Sequence, residues 1–433
     1  MAKFAVNKCI DNYIWLICLS FFILLPFSSF YNIPLIILAI AGIICLFDKS
    51  HLPELEAKVR IYGLLFACIF IPMVLSFPDS INQAETFRKI LSFIAYIFAA
   101  IAVINGLNNL KYQQYFLLGI GLLISAWIID AFFQYVTGSN FLGYPYDVNQ
   151  LKLGRGRLTG IFYPDFRIGI VLAILSPFYF EFVRLCQEKF IVAWLMVVPF
   201  ILVILLAGSR TSWFMLILSA ILYAIYYFYS GYYKGFRVRA VISGMAVIIA
   251  TILVLNNYNA FDNNNLKSFF ESRITTAQYN PSDKEAPNAV EQRVELWESA
   301  LRVSREHWIN GIGVRGYRYL DKHADIDSKP AIISENTRLS THPHQITLEI
   351  LLETGVIGLA GYILFWIILF RIYFSVIKTG EHLSNLLWIM PVIIAIFPLN
   401  MHKSFYEHFS SSIIWMLVAL AVANYSRASL KGH

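Results

Sequence analysis

Long apolar runs separated by short polar connections dominate the hydrophobicity pattern of this chain. Runs of roughly 15 to 25 apolar residues predict helices that cross a hydrocarbon layer about 30 Å thick. Such runs cover residues 13–27, 33–47, 61–77, 90–104, 115–135, 168–182, 190–207, 213–229, 240–255, 348–377, 386–398 and 411–423. The sequence therefore predicts an all-α, polytopic integral membrane protein with about 12 transmembrane helices.

The overall composition supports this fold class. Hydrophobic residues make up 58% of the 433 residues and charged residues only 14%, which excludes an ordinary soluble globular protein. Aromatic residues reach 16%, a content that suits helices with aromatic belts at both membrane interfaces. Membrane lipids are the expected surroundings, and nucleic acid is not an expected partner.

The runs divide the chain into three parts. Residues 1–255 hold nine predicted spans, residues 256–345 form a long polar connection with short helices, and residues 346–433 hold three more spans. If the N-terminus is cytoplasmic, 15 basic residues lie on the cytoplasmic side and 8 in the short segments opposite. The positive-inside rule selects this topology. Both termini are therefore expected in the cytoplasm, and the long connection on the other side.

Two arginines in or near the long connection are candidates for binding an anion. Positions 290, 294, 297 and 301 are apolar at helical spacing, which predicts a helix over 289–304. Arg293 lies one turn before Trp297 on this helix, where it can bind an anion or pair with Glu291 or Glu298. Arg273 lies upstream of the same helix.

Arg210 lies in a connection of about six residues between two apolar runs, at or near the membrane interface. A guanidinium group there either extends into water or binds an anion. Its planar arrangement of donors matches phosphate oxygens. Arg210 is therefore a third candidate for an anion site.

The segment Thr341-His-Pro-His-Gln345 runs directly into the tenth apolar run. Because proline suits the first turn of a helix, the sequence predicts that a helix begins here, with His344 in its first turn. The positive end of the helix dipole favours a neutral imidazole that accepts a proton. His344 is therefore the candidate general base and His342 the second candidate, the alternative being an interfacial helix cap.

No metal or cofactor is expected. The five cysteines lie in or near the apolar runs rather than in the long connection, and no CxxC or HExxH pattern occurs.

The chain resembles the O-antigen ligase and O-antigen polymerase superfamily of bacterial inner-membrane glycosyltransferases. The resemblance depends on Gly-Ser-Arg210-Thr, on Arg293 followed by Trp297, on Gly311-Ile-Gly-Val314, and on His342-Pro-His344 followed by Gly355 and Gly358. Gln345 departs from the asparagine usual after the second histidine, and Phe214 replaces a frequent leucine.

The resemblance implies transfer of a glycan from undecaprenyl pyrophosphate to an acceptor hydroxyl at the periplasmic face of the inner membrane, without a metal and with inversion. In a lipopolysaccharide O-antigen ligase the acceptor is a lipid A core sugar. The pyrophosphate would bind Arg210, Arg273 and Arg293. The sequence offers no further periplasmic domain after residue 423, which favours the ligase over a protein O-oligosaccharyltransferase. A polymerase is the nearest alternative, and the oligomeric state stays open.

A transporter or lipid flippase is the alternative from another class. It predicts charged residues at the bilayer midplane, whereas the sequence shows mainly Asp130 near the end of the fifth run.

Overall fold

A computed structural model describes residues 12–47, 53–146, 157–187, 195–231, 289–322, 342–379, 383–398 and 404–425. The described residues are helical and contain no β-strand. The α-helices are α1 Ile14–Leu24, α2 Asn32–Leu46, α3 Pro53–Leu75, α4 Gln83–Gly106, α5 Leu110–Thr137, α6 Ile168–Gln187, α7 Val197–Leu206, α8 Arg210–Tyr229, α9 Ala289–Glu306, α10 Ile346–Thr379, α11 Ser384–Ala395 and α12 His408–Ala423. Short 3-10 helices cover Gly160–Phe162 and Gly316–Lys322.

All of these α-helices except α9 are apolar. Helices α3, α4, α5, α6, α8 and α10 are long and apolar enough to cross a membrane, and α1, α2, α7, α11 and α12 are shorter apolar helices. Eleven of the twelve predicted runs fall on these helices, while the run 240–255 lies outside the described residues. The helical membrane-protein class is thus supported, and the number of about 12 crossings remains a prediction.

The exterior of the bundle is itself apolar. Large side chains such as Ile36, Ile40, Leu118, Leu122 and Ile217 are more than 45% exposed along the middle of their helices. Water would oppose such a surface, whereas lipid tails accept it. The bundle surface therefore fits a lipid environment.

Connections on one side of the bundle meet at a common end, which we call the histidine end because it holds His342–Gln345. Ile81 N–H donates to Ile312 O at 2.9 Å, and Leu158 N–H donates to Leu206 O at 3.1 Å. Asn310 Nδ2 donates to Asp79 Oδ2 at 2.7 Å. The loops after α3, α5, α7 and α9 therefore lie at the same end.

Helix α9 confirms the helix predicted over 289–304. Its buried Ala300 and Val303 form a small separate core with Leu348 and Leu352 of α10, together with Ile312, Tyr317 and Leu320. This helix is amphipathic rather than apolar, so it packs on the end of α10 instead of entering the bundle. The division of the chain at 256 and 345 remains a prediction, because only residues 289–322 and 342–345 of that connection are described.

Two glycines allow α10 to receive the turn that follows α9. Gly355 has φ +66° inside α10, and a Cβ atom there would lie 2.0 Å from Ile309 O. Val356 N–H donates to Trp308 O at 2.8 Å, and Ile312 N–H donates to Leu352 O at 3.0 Å. Gly311 also has positive φ, and a Cβ on it would meet the backbone of residues 353 and 354 at 2.5 Å. Residues without a side chain are therefore required at both positions.

Candidate functional site

The two histidines stand side by side in a strained turn. The ring centroids of His342 and His344 are 4.1 Å apart. His342 is buried and His344 is partly exposed, and His344 has φ +56°, which is uncommon for a residue with a side chain. Strained backbone of this kind persists only where the surrounding structure holds it in place, and it clusters at functional sites.

The expected position of His344 in the first turn of a helix is wrong. Helix α10 begins at Ile346, two residues later. Gln345 caps it, because its side-chain Oε1 accepts the N–H of Leu348, and its Nε2 donates to Pro398 O at 3.2 Å. Gln345 thus caps α10 and also forms a hydrogen bond to the connection after α11. His344 lies just outside the helix, in the turn that the cap fixes.

Helix α9 is tied to this turn. Trp297 Nε1 donates to the carbonyl oxygen of Pro343 at 3.0 Å. The backbone of Arg293 lies one turn before Trp297 in α9, so both residues lie on the helix face directed at the histidine turn. The side chain of Arg293 lies outside the described residues, and so does the whole of Arg273.

Arg210 is the first residue of α8 and is exposed, so the connection before α8 is shorter than the six residues expected. Ser209 caps the helix by accepting the N–H of Ser212 at 3.4 Å. One turn into α8, the ring of Phe214 packs on Phe397 at 5.4 Å between centroids. Phe397 adjoins Pro398, the residue bonded to Gln345. The starts of α8 and α10 therefore both contact residues 397–398, which brings Arg210 and His344 to the same end.

A second group of charged residues at the histidine end was not predicted as a site. Arg315 is buried with φ +66°. Its N–H donates to Glu353 Oε2 at 2.7 Å, and its Nη1 donates to Ser404 Oγ at 2.6 Å. Ser404 in turn donates to Glu349, whose other oxygen accepts Phe405 N–H at 2.9 Å. This network fastens the turn after α9 to the start of α12.

Two more cations, Arg167 and Lys89, lie near the start of α12. Arg167 Nη2 pairs with Asp165 at 2.9 Å and with Glu407 at 3.8 Å. Its guanidinium lies 4.1 Å from the ring centroid of Phe409, within cation–π range. Lys89, on the second turn of α4, is buried and lies within electrostatic range of Arg315 and Glu407.

The sequence held a signal for this group that was not used. Glu349 and Glu353 are four residues apart at the start of the tenth apolar run, and a carboxylate in such a run is costly unless it has partners. Both are completely buried. Asp130 is therefore not the only buried charge in the described apolar helices. Lys58, Lys89, Glu181, Glu349 and Glu353 are also buried in apolar helices.

Asp130 itself organises a loop. Its Oδ2 accepts from Asn140 Nδ2 at 3.2 Å, and its Oδ1 accepts from the N–H of Phe141 at 3.1 Å. These bonds hold the segment after α5 against the end of that helix. Asp130 is thus placed as a structural anchor at the histidine end.

Within the described residues, no group of three or more His, Cys, Asp or Glu side chains is placed to hold a metal ion. No disulfide joins the described cysteines, Cys18, Cys45, Cys68 and Cys186.

Comparison with known proteins identifies the region that carries the two histidines. Residues 193–363 match the family model described as O-antigen ligase. This region includes Arg210, Arg293, Trp297, the histidine turn and Gly355. No curated protein matches the chain. Members of the family are bacterial, membrane-associated enzymes of the glycosyltransferase type that act in glycan assembly on lipid-linked substrates. This match supports the resemblance of the chain to the O-antigen ligase and polymerase superfamily.

Proposed function

We propose that the protein is an O-antigen ligase, which transfers a glycan from undecaprenyl pyrophosphate to a hydroxyl group of a lipid A core sugar. The observation that carries this proposal is the paired histidine turn. It is held between α9 and the connection after α11, at the same end as Arg210 and inside the matched region. A transferase of this kind needs a base and an anion-binding group at one membrane surface.

The proposed reaction is a direct displacement. His344 accepts the proton of the acceptor hydroxyl, and the hydroxyl oxygen forms a bond to the anomeric carbon of the donor. The bond from that carbon to the pyrophosphate oxygen breaks, and undecaprenyl pyrophosphate leaves with the electron pair. The anomeric centre is inverted. His342, 4.1 Å away between ring centroids, orients His344.

In this proposal the leaving group is stabilised by arginines rather than by a metal. Arg210 offers a guanidinium group at the N-terminus of α8, where the helix dipole also favours an anion. Arg293 and Arg273 are the other proposed ligands of the pyrophosphate. Negative charge that develops on the leaving oxygen is then met by fixed cations.

The proposed location is the periplasmic face of the bacterial inner membrane, with both termini in the cytoplasm. The excess of basic residues in the connections opposite the histidine end supports this orientation. The lipid-linked donor is presented on that face.

A polymerase of the same superfamily is the second candidate, and a protein O-oligosaccharyltransferase is the third. Both use the same donor and differ in the acceptor. Disrupting the gene and analysing the cell-surface glycolipids distinguishes them. Loss of a ligase leaves bare core with accumulated lipid-linked polymer, whereas loss of a polymerase leaves core that carries single units. A cell with unchanged surface glycans and glycoproteins would contradict all three and favour a transporter.

A further inference from the structure

Three cations at the histidine end keep hydrogen-bond donors that no described residue satisfies. Arg167 Nε and Arg315 Nε are buried and have no hydrogen-bond partner among the described residues. Lys89 is 5% exposed, and its Nζ forms neither a hydrogen bond nor an ion pair within the described part of the chain. A buried guanidinium N–H in this condition is costly, because it has lost water without gaining a partner.

Lys58 shows how this protein normally treats a buried lysine. Lys58 is also 5% exposed, but its Nζ donates to Asn108 Oδ1 at 2.6 Å and to the carbonyl oxygen of Ala423 at 2.8 Å. The two lysines therefore have the same burial but different partners. The two hydrogen bonds of Lys58 account for its burial, whereas no such bonds account for the burial of Lys89.

The carboxylates near Lys89 are engaged elsewhere. Glu85 pairs with the exposed Arg88 at 3.0 Å, and Glu407 pairs with Arg167. Glu349 accepts bonds from Ser404 and from the N–H of Phe405. None of these carboxylates comes within 4 Å of Lys89 Nζ as an ion-pair partner. Within the part of the chain that is described, these donors therefore have no hydrogen-bond partner.

The start of α12 adds to this environment. His408 is its first residue, and Glu407 makes no side-chain cap to the helix. The N–H groups of a helix start favour oxyanions. Arg167 stacks on Phe409 in the first turn of α12, and Arg315 is bonded to Ser404 just before it. Lys89 lies on α4, which packs on α12.

We propose that Lys89, Arg167 and Arg315 form a second oxyanion site, which binds a phosphate group of the acceptor glycolipid. This inference rests on the proposed transfer to a lipid A core sugar. The donor pyrophosphate is assigned to Arg210, whose helix α8 packs on α6 and α11, whereas Lys89 lies on α4, which packs on α2, α3 and α12. Two anionic lipid-linked glycans that bind at the same time each favour a complementary cationic site.

The test measures binding by the full-length protein in nanodiscs of zwitterionic lipid. The probes are phosphorylated lipid A core glycolipid, the same glycolipid after phosphatase treatment, and undecaprenyl pyrophosphate. Lys89→Gln should weaken binding of the phosphorylated acceptor by about tenfold or more, the scale of one charge-assisted hydrogen bond. This substitution should leave the affinities for the other two probes unchanged. Lys89→Arg should restore most of the affinity.

Arg88→Gln is the matched control, because Arg88 adjoins Lys89 on α4 but is exposed and paired with Glu85. It should bind all three probes like the native protein. If Lys89→Gln does not fold, Arg167→Gln serves in its place, since Arg167 is partly exposed.

Unchanged affinity of a folded Lys89→Gln protein for the phosphorylated acceptor would overturn the proposal and leave Lys89 as a structural residue. An equal loss of affinity for undecaprenyl pyrophosphate would also overturn it, because the cations would then belong to the donor site. The binding measurement does not depend on whether the protein transfers a glycan. A protein that binds the phosphorylated acceptor through Lys89 but transfers no glycan would contradict the proposed function alone.

Discussion

At the residue scale, the histidine turn combines strain with support. His344 adopts a left-handed backbone conformation. Two hydrogen bonds hold the turn: Gln345 donates to the carbonyl oxygen of Pro398, and Trp297 donates to the carbonyl oxygen of Pro343. A base fixed in this way loses little entropy when the acceptor arrives. The site therefore depends on a few side chains whose roles can be separated by single substitutions.

The first prediction concerns His344. His344→Ala should lower the transfer rate by about 10² to 10⁴-fold, the usual contribution of a general base, while binding of the donor persists. His342→Ala should have a smaller effect if it only orients its neighbour. The measurement is transfer by purified protein from a defined lipid-linked donor to core acceptor, repeated with a chelator. His307→Ala, at the end of α9, is the control. Full activity of His344→Ala would remove the assigned base, and loss of activity on chelation would contradict the metal-free mechanism.

The second prediction concerns the arginines that are proposed to hold pyrophosphate. Arg210→Lys and Arg293→Lys should lose most of the transfer activity although the charge is kept, because an ammonium group cannot form the paired bonds of guanidinium. Arg305→Lys, on the exposed side of α9, should stay active. The same transfer assay serves for all three proteins. Equal tolerance at the three positions would show that only diffuse positive potential matters.

At the element scale, the site depends on how α9 and its following turn dock on α10. Gly355 gives α10 a non-helical residue, and the backbone of residues 308–312 fits against it. The glycines of the family pattern, far apart in sequence, thus meet in one contact. This docking sets the position of Trp297 and through it the histidine turn.

The third prediction follows from this contact. Gly355→Ala should destabilise the protein by about 1–3 kcal/mol or more, because the new Cβ would lie 2.0 Å from Ile309 O and the backbone would be strained. Transfer activity should fall with it. Thermal unfolding in detergent measures the stability. The control is Gly63→Ala, since a Cβ at Gly63 has no neighbour within 4 Å and should be neutral or stabilising. Similar melting of both variants would contradict the proposed docking.

At the scale of the whole molecule, buried charges at the two ends differ in their partners. Away from the histidine end, Glu181 accepts from Arg184 at 2.8 Å and from the Tyr223 hydroxyl at 2.9 Å, and Lys58 donates two hydrogen bonds. At the histidine end, three cations retain free donors. Chemistry on charged lipid-linked substrates is therefore expected at that end.

The fourth prediction concerns topology. A reporter fused after Tyr258 should be periplasmic, and reporters fused after Tyr233 or His433 should be cytoplasmic, because the basic residues favour this orientation. Paired alkaline phosphatase and fluorescent protein fusions make the measurement. A cytoplasmic signal after Tyr258 would place the 256–345 connection on the wrong side for a periplasmic donor.

The sequence by itself determined the apolar helices, the amphipathic helix α9 and the candidate residues Arg210, His342 and His344. These depend on periodicity and on motifs that are local in the chain. The position of His344 outside α10 was missed, because its neighbour Gln345, which caps the helix, is bonded to Pro398, 53 residues away. The start of α8 at Arg210 was missed although its cap, Ser209, is local. Only the tertiary structure assembled Lys89, Arg167 and Arg315 around the start of α12. Arg315 and Ser404, for example, are 89 residues apart. Each cation alone resembles an ordinary interfacial residue, and a donor without a partner becomes visible only when the packed neighbours are known.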